Sequence, residues 1–228
     1  MSATTGTGAE TSRDAAATAG GWSLIVAALA FVAVFAYLAS AFGYPDVLPN
    51  LLRLGPAGRA VWGLYGLLPL LLIPAGLGAY SALRAERPGI MRVAAALAVV
   101  SAFSMLLGLL RWPSIHWSLA NAFVGAGGDA ERAAITATFD GLNSLLGNFI
   151  GASAMRRSRR LPRCSSVAGV VAALLGLVGM WRNVTPLVAM FAEIENSVLP
   201  LWMLTLGVLL VRAGRGSEPR VRGDGVTG

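Results

Sequence analysis

Long uninterrupted apolar runs constrain this sequence more than any other feature. Residues 22–43, 61–83 and 90–110 are each at least 21 residues long, and together they contain one charged residue, Arg92. A helix of about 20 apolar residues crosses the hydrocarbon core of a bilayer. Charged residues make up 13% of the chain, against about 25% in soluble domains. The sequence therefore predicts an all-α polytopic membrane helix bundle.

The rest of the chain predicts three more spans and two polar tails. The fourth span is the least apolar, because it carries Asp140, Asn143 and Asn148. We expect a disordered cytoplasmic tail over 1–20, a transmembrane helix bundle over 21–213 and a second disordered cytoplasmic tail over 214–228. The six predicted spans are 22–43, 61–83, 90–110, 133–155, 166–181 and 197–212.

Two local features refine this arrangement. Pro69 and Pro74 lie inside the second span and predict a kink there, because proline removes a helical hydrogen bond. The sequence "LPNLLRL" at 48–54, between the first two spans, is compatible with a short interfacial helix.

The arginines favour a crossing at 133–155 despite its polar residues. With six spans, thirteen of the 18 arginines lie on one side of the membrane and five on the other. This asymmetry follows the positive-inside rule with both termini in the cytoplasm. Without that crossing, the five arginines of "RRSRRLPR" at 156–163 would lie outside.

The amino-acid composition also indicates the kind of organism and the membrane in which we expect the protein. All basic residues are arginine, and alanine and glycine are abundant, which is typical of GC-rich bacterial genomes. We therefore expect a bacterial cytoplasmic (inner) membrane. The A-x-A pattern at 39–41 leaves open whether residues 1–41 are cleaved as a signal peptide, although the apolar run is longer than the usual 7–15 residues or so.

Asp140 is the most informative polar residue, because a carboxylate at the centre of a span costs about 2.5–3.5 kcal/mol. At helical spacing it shares a stripe with Asn143 and Ser144, which predicts that this face turns inward. Arg111, at the end of the third span, is the expected partner, with His116 as the second choice. The predicted polar pocket consists of Arg111, Trp112, His116, Asp140 and Asn143.

Two interpretations of this pocket stay open. It is either a structural ion pair between helices, with tryptophans as interface anchors, or a pocket that binds a small solute or relays protons.

The sequence gives little support for a disulfide, a metal site, a phosphate-binding loop or catalytic residues. A single cysteine, Cys164, excludes an internal disulfide, and one histidine without a Cys/His cluster argues against a zinc site. "GAGG" at 125–128 lacks the spacing of a phosphate-binding loop. We therefore predict no metal, no cofactor and no catalytic residues.

The clustered arginines suggest partners other than nucleic acid. They lie between apolar runs, so membrane orientation explains them more simply than nucleic-acid binding does. The basic loop also fits contact with anionic lipid headgroups. Its arginines are Arg156, Arg157, Arg159, Arg160 and Arg163.

Several motifs resemble the domain of unknown function 4386 family of uncharacterised bacterial multi-pass membrane proteins. They cover most of residues 22–213. The chain departs from the family pattern around the fourth span, where about twenty residues are missing before the basic loop. The resemblance implies a multi-pass membrane fold and no activity. The motifs are "YPDVL" at 44–48, "VWGLYGLLPLLLIP" at 61–74, "GLLRWP" at 108–113, "FDGLNSLLGNFIG" at 139–151 and "RRLPR" at 159–163.

The sequence thus favours a non-enzymatic component of the membrane that acts through helix packing, as a homo-oligomer or with another membrane protein. The alternative is a small-solute or proton-coupled carrier with an outer-leaflet pocket around Arg111 and Asp140. An intramembrane enzyme ranks third.

Overall fold

The structure is a computed structural model that describes residues 5–41, 47–85, 88–147, 171, 174, 178 and 189–215. Within these ranges the secondary structure is entirely helical, with no strand. The α-helices are α1 (Thr5–Ala41), α2 (Val47–Arg53), α3 (Gly55–Leu67), α4 (Leu72–Leu83), α5 (Pro88–Leu110), α6 (Trp117–Gly125), α7 (Asp129–Gly147) and α8 (Ala189–Arg215). A 3-10 helix (Leu68–Leu71) joins α3 to α4, and a π-helix (Trp112–His116) joins α5 to α6.

Four helical stretches are long and apolar enough to cross a membrane. They are Thr11–Leu38, Gly55–Leu83, Pro88–Gly125 and Ser197–Arg215. They correspond to the first, second, third and sixth spans predicted from the sequence. α7, which contains most of the predicted fourth span, is not among them. The predicted fifth span and the arginines at 156–163 lie outside the described residues, except for three positions of that span, so the count of six stays a prediction.

One hydrophobic core lies where α1 packs between α4 and α8. Its buried residues are mostly small or aliphatic, which lets the helices approach closely. A Cβ atom on Gly20 would lie 2.8 Å from the Cα of Gly78, and one on Gly21 would lie 2.6 Å from the carbonyl oxygen of Gly207. The core residues are Leu24, Ala27, Ala28, Ala75, Ala79, Met203, Leu206 and Leu210.

The first of these helices begins earlier than the sequence predicted. We expected a disordered tail over 1–20, but α1 starts at Thr5 and Ala17 is buried. A Cβ atom on Gly214 would meet the carbonyl oxygen of Asp14, so the end of α8 packs against this segment. The low hydrophobicity of residues 5–20 reflects small side chains at a close helix interface, where a larger side chain would hold the two backbones apart. α8 likewise continues to Arg215, into the predicted C-terminal tail.

In the second span the structure departs from a regular α-helix at one of the two prolines, and in the entry loop it forms the expected short helix. The helix changes to 3-10 geometry at Leu68–Leu71, next to Pro69, before α4 resumes. A short helix, α2, covers Val47–Arg53 and buries Leu48 and Leu51. Gly55, with a φ of 62°, makes the turn from α2 into α3, a backbone conformation that glycine adopts without steric cost.

A second core forms around the end of α1, α2 and the π-helix. It buries Leu38 from α1, Trp62 from α3, Ala120 from α6 and Phe139 from α7, together with the two leucines of α2. Arg111, His116 and Asn143, three of the polar residues that the sequence singled out, lie at this core.

Candidate functional site

The site is built on a π-turn at the junction of α5 and α6. Pro113 has no N–H, and its ring would clash with the carbonyl four residues earlier in a regular α-helix. The backbone instead widens, and the N–H of His116 donates to the carbonyl of Arg111 at 2.8 Å, five residues back. π-turns occur frequently at functional sites.

A neighbouring helix holds this turn in place. Arg59 on α3 donates from Nε to the carbonyl oxygen of Pro113 at 2.8 Å. Its guanidinium also lies 5.5 Å from the centre of the Trp117 ring, within the range of a cation–π interaction. These contacts attach α3 to both sides of the π-turn.

His116 is fully buried inside the second core. Its ring centre lies 4.8 Å from that of Trp112 and 4.5 Å from that of Phe139. Within the described part of the chain, neither ring nitrogen has a hydrogen-bond partner. Buried polar side chains nearly always have such partners, so an exception needs an explanation.

Aromatic side chains extend from His116 across three helices. Trp112 stacks on Trp62 of α3, with ring centres 4.6 Å apart and planes 11° from parallel. Trp62 meets Tyr65 edge to face, and Tyr65 meets Phe31 of α1 in the same way. Such pairs add packing energy and geometric definition beyond their buried area.

Arg111 is buried beside this aromatic group, with 7% of its surface exposed. Its Nη2 donates to Oδ1 of Asn143 on α7 at 2.7 Å, and Nη1 donates to the carbonyl of Gly108. The guanidinium also lies 5.5 Å from the Trp112 ring. Arg111 thus connects α5 to α7.

The predicted partner, Asp140, does not take part. Its side chain is exposed on α7, while Ile135, Phe139 and Asn143 face the core. Asn143 therefore faces inward as predicted, but Phe139 occupies the inward position that was predicted for Asp140. A neutral amide satisfies the guanidinium without the desolvation that burying a carboxylate would require.

The structure thus brings together four of the five predicted residues, Arg111, Trp112, His116 and Asn143. The sequence analysis missed Trp62, Phe139 and Arg59. The proline three residues before His116 was the signal for the π-turn. No three His, Cys, Asp or Glu side chains within the described ranges could jointly hold a metal ion.

Comparisons with known protein families, curated proteins and solved structures find no match to this chain. The resemblance to the domain of unknown function 4386 family therefore stays a prediction.

Proposed function

We propose that this chain is a non-enzymatic integral membrane protein of the bacterial inner membrane. The observation that carries the proposal is an exposed apolar stripe along α5. Val93, Leu97, Val100 and Leu107 are 48% to 67% exposed and lie on one face at helical spacing. A continuous apolar face of this kind is unfavourable in water and typical of contact with lipid or another membrane helix.

A similar stripe on α1 supports the same proposal. Trp22, Val26 and Leu29 are each about half exposed and lie on one face of the helix, at positions three or four residues apart. The small residues of α1 face the core instead. Gly20, Gly21, Ala27 and Ala28 thus face the core together with Leu24, while other large apolar side chains of α1 stay exposed, as expected where lipid surrounds the helices.

The simplest test of membrane integration is an alkaline carbonate wash of membranes from expressing bacteria. We expect the protein to stay in the pellet, because integral proteins resist extraction. Release into the supernatant would contradict the proposal. A peripheral protein from the same membranes serves as the control for a complete wash.

We further propose six crossings with both termini in the cytoplasm. With only the four apolar stretches, the 18 arginines divide as eight on one side and ten on the other. Two more crossings between residues 126 and 196 place thirteen on the side of the termini and five opposite. The positive-inside rule favours the second arrangement.

Reporter fusions test this topology. Green fluorescent protein fused after residue 160, or at the C-terminus, should fluoresce, because it folds in the cytoplasm. Alkaline phosphatase at the same two positions should be inactive. An active phosphatase at residue 160, with a fluorescent C-terminal fusion, would remove the two additional crossings. A cytoplasmic residue 160 would also place the basic loop at 156–163 against anionic lipid headgroups.

The buried Arg111 and His116 favour a second candidate function, a small-solute or proton-coupled carrier. A cysteine at position 143 tests it, after Cys164 has been replaced by serine. A carrier pocket predicts rapid labelling by a membrane-impermeant thiol reagent from the outer side. Protection from labelling, with a cysteine at exposed Asn121 as the positive control, would favour the packing role.

A further inference from the structure

The buried imidazole of His116 offers two unused hydrogen-bonding atoms. A neutral imidazole carries one N–H donor and one acceptor nitrogen. In the part of the chain that the structure describes, neither atom is matched. Among these residues the hydrogen-bonding capacity of the imidazole is unmet, and a ligand that accepts one hydrogen bond, donates one, or does both would match it.

The walls of the site indicate the rest of the ligand. The rings of His116, Trp112 and Phe139 all contact one another, so a flat ring in the place of Phe139 would lie against the rings of Trp112 and His116. The buried guanidinium of Arg111, with the amide of Asn143, adjoins this group. The helices α3, α5 and α6 on the other sides of the site lie within apolar membrane-length stretches, which suits a ligand that dissolves in the membrane.

We propose that this site binds a membrane-soluble ring compound with carbonyl or hydroxyl oxygens, the chemistry of quinones and phenols. A ring carbonyl accepts the N–H of His116, and a ring hydroxyl donates to the other nitrogen. The ring lies against Trp112 and takes the place of Phe139. This inference rests on the proposed membrane location, because such compounds reach the protein through the bilayer.

Opening of α7 gives the ligand access. Phe139 covers His116, and Asn143 attaches α7 to Arg111, while most of the other side chains over 129–141 are exposed. A break at residues 126–128 precedes the helix, with Ala126 in an extended conformation. Added Cβ atoms at Gly127 and Gly128 would meet no neighbour within 4 Å. Opening therefore breaks the hydrogen bond between Arg111 and Asn143 and exposes Phe139, and a helix held by so few buried side chains can open locally without unfolding the rest of the bundle.

Two probes of the same shape test the proposal on the full chain in lipid nanodiscs. Menadione carries two ring carbonyls, and 2-methylnaphthalene carries none. Equilibrium dialysis, corrected with protein-free nanodiscs, should show about tenfold tighter binding of menadione, as expected from hydrogen bonds to a buried site. Equal binding of the two compounds would overturn the proposal.

Substitutions test whether His116 causes the preference for menadione over 2-methylnaphthalene. His116→Phe should abolish it, whereas His116→Gln keeps one donor and one acceptor and should retain it. Ser118→Ala, at an exposed position of α6, is the matched control and should leave it unchanged. A preference that survives in a folded His116→Phe variant would contradict the assignment.

A measurement on the unaltered chain covers the case in which these variants do not fold. His116 is the only histidine, so ¹⁵N-histidine labelling gives the ring signals of this residue alone. Menadione should shift them, and 2-methylnaphthalene should not. Unmoved signals would refute the proposal even if the carbonate wash supports the membrane location. Failure of the wash would refute the membrane location whatever the probes do.

Discussion

Arg111 carries a permanent charge into the helix bundle, so the helix opposite must supply an acceptor for its guanidinium. The structure provides the amide oxygen of Asn143 at 2.7 Å. A hydrogen bond to a charged group contributes about 1.5–3 kcal/mol, and leaving such a group without its acceptor costs a similar amount. The stability of the contact between α5 and α7 therefore depends strongly on one amide.

Replacing that amide tests its contribution. We expect Asn143→Leu to lower the free energy of unfolding by about 1–3 kcal/mol, because the guanidinium loses an acceptor in a buried place. Denaturant unfolding in one detergent, followed by circular dichroism, measures the change.

Asp140→Asn is the matched control on the same helix. Asp140 is exposed, so its replacement should change stability by less than about 0.5 kcal/mol. If Asp140→Asn costs more than Asn143→Leu, the carboxylate rather than the amide pairs with Arg111.

At the scale of elements, α1 and α8 touch through their backbones. A Cβ atom on Gly21 would lie 2.6 Å from the carbonyl oxygen of Gly207 and 2.8 Å from the amide nitrogen of Val211. Both are backbone atoms, so the helices themselves would have to move apart. Glycine at this crossing is thus a steric requirement of the interface.

A pair of glycine substitutions measures that requirement. Gly21→Ala should destabilise the protein by about 1–3 kcal/mol, because overpacking forces backbone shifts. Gly63→Ala lies within α3, where an added Cβ meets nothing within 4 Å, and should stabilise by about 0.5–1 kcal/mol through helix propensity. Thermal unfolding of both variants in the same detergent provides the comparison. Equal effects would mean that the close crossing does not form.

The sequence predicted where the helices lie better than which side of each helix faces inward. Four of the six predicted spans correspond to long apolar helices, and the prolines predicted the change of geometry near Pro69. The inward face of α7 was predicted in part, because Asn143 turns inward as expected but Phe139 takes the buried position expected for Asp140, and an isolated sequence does not show how far a helix is rotated about its axis. The segment at 5–20 was misassigned, because small residues resemble a tail until a partner helix packs against them.

Only part of the candidate site was predicted, because a local sequence pattern does not show which distant residues pack together. The proximity of Arg111, Trp112 and His116 follows from their closeness in the chain. The stacking of Trp112 on Trp62 depends on the packing of α3, which no local pattern reports. The π-turn was also missed, because the predicted third span ended at residue 110, before Pro113.

For the whole molecule, helix length places the site relative to the membrane. α5 contains 23 residues, which is about 35 Å at 1.5 Å per residue. This length already exceeds the hydrocarbon core of about 30 Å. If the bilayer begins near Pro88, the π-turn lies at the opposite interface and α6 extends beyond it. Tryptophans at this level are typical of membrane interfaces.

Two spin labels test this placement, each introduced as a cysteine after Cys164→Ser. Leu97 faces outward on α5, about 14 Å along the helix from Pro88. Asn121 is exposed on α6, about 36 Å further along. A label at 97 should therefore collide mainly with oxygen, which concentrates in lipid, and a label at 121 mainly with a water-soluble nickel complex. Power-saturation measurements in nanodiscs give both collision rates. Equal oxygen and nickel accessibilities at the two positions would mean that α5 does not enter the bilayer end-on, and the π-turn would then not mark the interface.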